Sequence, residues 1–127
     1  MKYIKKLLIL GFHSANLILI TFYLYPGSIF GYILYRNSSI QPQLTRDFII
    51  SSNHLYAFIV LSTLGIVAYQ NTKKIKFIIV YLFFLSIILE LSHTVIPMRG
   101  FEWGDLFGNI LGVILVVIIY NIKNRYA

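Results

Sequence analysis

Long apolar runs separated by short polar breaks organise this chain. Four runs stand out: Leu7 to Tyr25, Ile49 to Tyr69, Phe77 to Ile96 and Leu106 to Ile122. Each holds about 17 to 21 residues, enough for a helix to cross a hydrocarbon core of roughly 30 Å. Lipid offers no partner for exposed backbone N–H and C=O groups, so each run must be helical. The predicted fold is all-α: an integral membrane four-helix bundle, with helices at about 7–25, 49–69, 77–96 and 106–122. No internal repeat or low-complexity segment divides it, so residues 1–127 read as one domain.

The breaks carry turn signals. The longest, Pro26 to Phe48, contains Pro26-Gly27, Asn37-Ser38-Ser39 and Pro42. Its apolar, aromatic stretch Ile29–Tyr35 is expected to lie along the membrane surface. Gln70 to Lys76 is a short basic turn, and Pro97 to Asp105 a short polar one. Lys2, Lys5 and Lys6 before an apolar run resemble a signal peptide, but no small-x-small cleavage pattern follows. The first helix is expected to remain uncleaved.

Composition supports lipid as the solvent. Hydrophobic residues make up 58% of the 127 and charged residues 12%, against about 25% charged in soluble domains. The absence of cysteine excludes disulfides, iron–sulfur ligation and thiol nucleophiles. The net charge is +7. Its basic residues gather at the ends of apolar runs, which indicates topology and not a nucleic-acid partner. Lys2, Lys5, Lys6, Lys73, Lys74, Lys76, Lys123 and Arg125 fall on one side of four crossings. Arg36, Arg46 and Arg99 fall on the other, with Asp47, Glu102 and Asp105. The positive-inside rule predicts a multi-pass cell-membrane protein with both termini cytoplasmic.

With that orientation, polar residues of three helices and one turn reach similar depth near the outer headgroups. His54 is expected about one and a half turns inside the second span, and Glu90 a similar distance inside the third. His93 shares a face with Glu90 at i, i+3. Arg99 lies in the turn, and Asp105 and Asn109 open the fourth helix. A charged group at mid-helix costs roughly 2.5 to 3.5 kcal/mol to insert, so Glu90 should turn inward toward Arg99, His54 or His93. Gly104, Gly108 and Gly112 form a stripe suited to close helix packing. His13 and Asn16, three apart inside the first helix, are read as a helix–helix hydrogen-bonding pair, with a polar transport path as the alternative. Trp103, Tyr3, Tyr23, Tyr25, Tyr69, Tyr120 and Tyr126 match interfacial belts and receive no chemistry. Glu90-x-x-His93 has the spacing of di-iron bundles, which need two such motifs where this chain has one. No metal or other cofactor is assigned; the alternative is a single zinc ion held among His54, His93, Glu90 and Asp105.

The segment Glu90-Leu91-Ser92-His93, then Pro97-Met98-Arg99, then Asp105, Asn109 and Gly112, resembles the VanZ-like family. That family's pattern is an acid and a glutamine three apart, a Pro-Gly-Arg turn, then Asp, Asn and Gly on the final helix. His54-Leu55-Tyr56-Ala57-Phe58 resembles its upstream helix opening. The match covers Ile49 to Ile122 well, and the first helix only in general character. Here His93 replaces the glutamine, Met98 the turn glycine and Val116 a later glycine. An Asp-Lys pair before the histidine is absent, with Ile50 and Ser51 in its place.

The resemblance implies a small bacterial membrane protein of a family named for resistance to teicoplanin, a lipid-bearing glycopeptide. The leading expectation is action at the outer leaflet on or with lipid headgroups or such antibiotics. Expected partners are membrane lipids, a lipid-linked cell-wall precursor or a lipoglycopeptide. One alternative is an enzyme on a phosphate-bearing lipid, with His54, Glu90, His93 and Asp105 as acid–base groups and Arg99 and Asn109 binding the headgroup. Another is a structural or accessory protein, or a small transporter subunit.

Overall fold

The computed structural model describes residues 2–126. Five helices follow one another: α1 (Lys2–Leu24), α2 (Ile29–Tyr35), α3 (Ser52–Tyr69), α4 (Ile75–Ser92) and α5 (Trp103–Tyr126). Four of them, all but α2, are long and apolar enough to cross a membrane. The protein is an all-helical membrane bundle of four spans. The short α2 falls on the apolar stretch of the long loop.

Helix ends move from the predicted positions for local reasons. α3 starts at Ser52, not Ile49, because the Asp47 carboxylate accepts the Ser52 N–H over 2.8 Å and so caps the helix from outside it. His54 therefore stands in the first turn. α4 stops at Ser92, not Ile96. Beyond it the chain tightens, with His93, Thr94 and Val95 each donating to the carbonyl three residues back. Ile96 precedes Pro97, whose ring disfavours helix in the residue before it. Glu90 thus sits in the last turn of α4. α5 gains a turn at each end relative to the prediction.

The bundle buries polar groups beside its apolar core and is apolar outside. Ser62, Ser86, Glu90 and Asn109 are fully buried, while Phe77, Val80 and Phe84 stand on the outer face of α4 with most of their surface exposed. Only a lipid solvent makes that distribution favourable. α3 is central and packs on α1, α4 and α5. Its contact with α5 is the closest, and the glycine stripe explains why. A Cβ on Gly108 would stand 2.8 Å from the Ser51 carbonyl oxygen, and one on Gly112 2.8 Å from that of Leu55. At Gly104 the nearest atom would be 3.5 Å away, so only the inner two glycines are required by space. Backbone contact replaces a hydrophobic force that lipid does not supply.

The loop after α1 is ordered by its own bonds. Ser28 caps α2 by accepting the Gly31 N–H at 2.9 Å. Asn53 accepts the Leu44 N–H and donates to the Pro42 carbonyl. The segment is thereby folded over the start of α3 beside the end of α1.

Candidate functional site

The end of α1 is closed by groups from the other side of the bundle. A helix leaves its last carbonyls without intrahelical partners. Here Arg99 Nη2 donates to the Phe22 carbonyl over 2.8 Å, and His93 Nε2 donates to that of Tyr23 over 3.0 Å. Arg99 Nε also donates to the Tyr25 carbonyl at 3.3 Å. Positive charge at a helix C-terminus is favoured by its dipole. The turn after α4 therefore clasps α1.

Tyr23 is the residue that sequence reasoning missed. The prediction put it in an interfacial belt; the structure buries it, with its ring stacked on His93 at 5.4 Å between centroids. Its hydroxyl donates to Asn109 Oδ1 over 2.6 Å. Asn109 is oriented by a bond from Nδ2 to the Ser86 carbonyl. With its own hydrogen committed, the Tyr23 oxygen accepts from His54 Nδ1, 3.0 Å away. Tyr69, also expected in a belt, is buried too and meets His13 at 2.9 Å. The signal that distinguishes Tyr23 is depth: it lies in the last turn of α1, level with His54 and His93.

His54, Glu90, His93 and Asp105 come together. His54 Nε2 is 3.4 Å from Asp105 Oδ2, and Nδ1 is 3.8 Å from Glu90 Oε2. His93 Nδ1 is 3.3 Å from that same Glu90 oxygen. The other Glu90 oxygen accepts the Glu102 N–H at 3.0 Å, at the start of α5 where the helix dipole favours an anion. Oε2 has no hydrogen-bond partner. Asn109 is placed beside the cluster but fully buried, so it orients Tyr23 and does not face an opening.

Of the three candidate partners for Glu90, His54 and His93 lie within ion-pair distance and Arg99 turns elsewhere. Among the described residues no carboxylate lies within ion-pair distance of it. Its three contacts are neutral oxygens, the third being Gln41 Oε1 at 3.3 Å. Burial lowers its pKa from the ordinary value, opposed by Tyr23, Glu90 and Asp105. A guanidinium remains charged nonetheless.

Arg99, His54 and His93 form the polar end of a half-open cavity of about 610 Å³. Its walls are apolar: Ile18, Leu19 and Phe22 of α1, Val60 and Leu61 of α3, and Leu34 of α2. Ile18, Leu34 and Val60 are more than half exposed, so the groove opens sideways. The volume falls within the range of small-molecule pockets.

His13 and Asn16 stand apart from this site. His13 pairs with Tyr69, and Asn16 donates to the Tyr81 hydroxyl at 2.6 Å. These are interhelical bonds within the span, and the packed core of Phe58, Leu61 and Leu82 belongs to the same bundle interior.

The model of one family, described as VanZ/LLP1, matches residues 10–124. The chain belongs to the VanZ/LLP1 family. No curated protein and no solved structure matches it. The match takes in α1, whose resemblance by sequence was only general, and α1 supplies Tyr23. The VanZ-like turn glycine, replaced here by Met98, corresponds to a backbone with φ +61°. That is the left-handed region where glycine is least strained.

Proposed function

We propose that the protein binds an amphiphile with an anionic headgroup, taking its chain into the lateral groove and its phosphate or carboxylate at Arg99. The observation that carries this reading is an apolar groove, open along exposed Ile18, Leu34 and Val60, ending at a guanidinium with no carboxylate partner among the described residues. Arg99 spends three N–H groups on the Phe22 and Tyr25 carbonyls and Gln41 and keeps two in its planar fork for an anion. His54 and His93 line the same wall. The lysine-rich end is cytoplasmic on this reading, so the groove takes its ligand from the outer leaflet. Two ligand sources share the required chemistry: a lipid or polyprenyl phosphate of the membrane, and an acylated glycopeptide of the teicoplanin kind. Removing such an antibiotic from its site of action, or altering the lipid it encounters, would give resistance.

Native mass spectrometry of the detergent-purified protein separates the sources. Anionic phospholipid, zwitterionic phospholipid, polyprenyl phosphate and an acylated glycopeptide are offered in turn. Selective retention of one anionic amphiphile is expected. Arg99→Gln should weaken it about tenfold or more, as loss of a charge-assisted bond predicts. Val60→Trp should block the groove without touching Arg99. Equal retention of zwitterionic lipid by all three proteins would refute the proposal.

A further inference from the structure

Two imidazoles in this bundle have their protons committed to acceptors other than the carboxylate nearest each ring. Asn109 Nδ2 bonds the Ser86 carbonyl, which turns Oδ1 toward Tyr23. The Tyr23 hydroxyl must then donate to Asn109 and accept from His54 Nδ1. His54 Nδ1 therefore carries the hydrogen, and the neutral ring presents a lone pair at Nε2. That lone pair is 3.4 Å from Asp105 Oδ2. His93 repeats the arrangement: Nε2 donates to the Tyr23 carbonyl, and Nδ1 faces Glu90 Oε2 at 3.3 Å. Acceptors face acceptors. Glu90 Oε2 is fully buried and without a hydrogen-bond partner. Either a proton on one of these groups or a cation between them closes the arrangement.

We propose that His54 Nε2, Asp105 and Glu90 form a three-ligand site for a divalent transition-metal ion of the zinc type. Ligand atoms of these three residues lie within 4.8 Å of one another. The 3.4 Å between His54 Nε2 and Asp105 Oδ2 is near the roughly 3.4 Å that two bonds of about 2.1 Å at a tetrahedral angle span, and Glu90, within 4.8 Å, would draw in on binding. One nitrogen and two carboxylates suit zinc or its first-row neighbours. Tyr23 supplies the outer support such sites use, an acceptor on the far nitrogen that fixes the tautomer. Three protein ligands leave a fourth position for water or a ligand oxygen. His54 also lines the groove, so that position lies beside Arg99's cavity. The site stands whether or not an amphiphile occupies the groove.

The test uses the whole protein, purified in detergent and stripped with chelator. Zn2+ is titrated calorimetrically, bound metal is counted by elemental analysis, and Co2+ is substituted for its visible spectrum. Saturation at a single ion per chain with tetrahedral Co2+ bands is expected. Asp105→Asn should remove the bands. Tyr23→Phe should weaken Zn2+ by about 10- to 100-fold. His13→Gln, away from the cluster, should change neither. If Asp105→Asn does not fold, the wild-type Co2+ spectrum and Tyr23→Phe decide. Absence of tetrahedral bands overturns the assignment. So does Zn2+ binding that survives Asp105→Asn and Tyr23→Phe intact but falls in His13→Gln.

Discussion

The Tyr23 hydroxyl donates to Asn109 Oδ1 over 2.6 Å across 86 residues of sequence. This bond ties α1 to α5, and the same hydroxyl accepts from His54. Tyr23→Phe keeps the ring and its stack on His93 but leaves two buried groups unpaired. Interhelical bonds in membranes average about 0.6 kcal/mol, and an orphaned buried group costs more. The expected loss is about 1 to 2 kcal/mol in denaturation by mixed detergent micelles. An unchanged midpoint would show that the relay carries no stability.

The glycine stripe makes a graded prediction. Gly108→Ala and Gly112→Ala each drive a methyl against α3 backbone, and should cost about 1 to 3 kcal/mol as overpacking does. Gly104→Ala has room and should be nearly neutral. Gly11→Ala meets nothing within 4 Å and should be tolerated or slightly stabilising. Folded yield after gel filtration ranks the four variants. Equal effects at Gly104 and Gly112 would contradict the packing.

Met98 holds φ +61° without being glycine. A non-glycine residue there costs about 1 to 2 kcal/mol. Met98→Gly should therefore raise stability by about 1 kcal/mol, measured in the same micelle assay. A decrease would mean that the methionine side chain, whose Cε lies near Gly27, contributes more by packing than the backbone loses.

Orientation is open to a direct measurement because the chain has no cysteine. Ser39→Cys, in the loop after α2, should react with a membrane-impermeant maleimide in intact cells. Asn71→Cys, in the lysine-rich turn, should react only after lysis. The reverse pattern would place the groove on the cytoplasmic side and rule out an outer-leaflet ligand.

The spans were legible because each is a run that only a helix can carry through lipid. The convergence of His54, Glu90, His93 and Asp105 could be read from their common depth once crossings were counted. Helix ends were less so: the start of α3 depends on Asp47, five residues outside it, and no local pattern announces that bond. Tyr23 was hidden by its type, since a tyrosine near a helix end looks like a belt residue whether it faces lipid or protein. Arg99 could be placed at the right end, but which of Arg99, His54 and His93 would face Glu90 could not be read. A cation can answer a helix terminus as well as an acid, and the sequence does not say which is nearer.

The clasp on α1 has a consequence for biosynthesis. α1 enters the membrane first, yet Arg99 and Asn109, which hold its end, are translated some 75 residues or more later, as the 77- and 86-residue separations of their bonds require. Until α5 arrives, Glu90 lacks the amide it accepts and Tyr23 lacks its acceptor. Each half-made chain therefore displays unmet polar groups within the bilayer, a mark by which membrane proteases can tell it from the finished molecule.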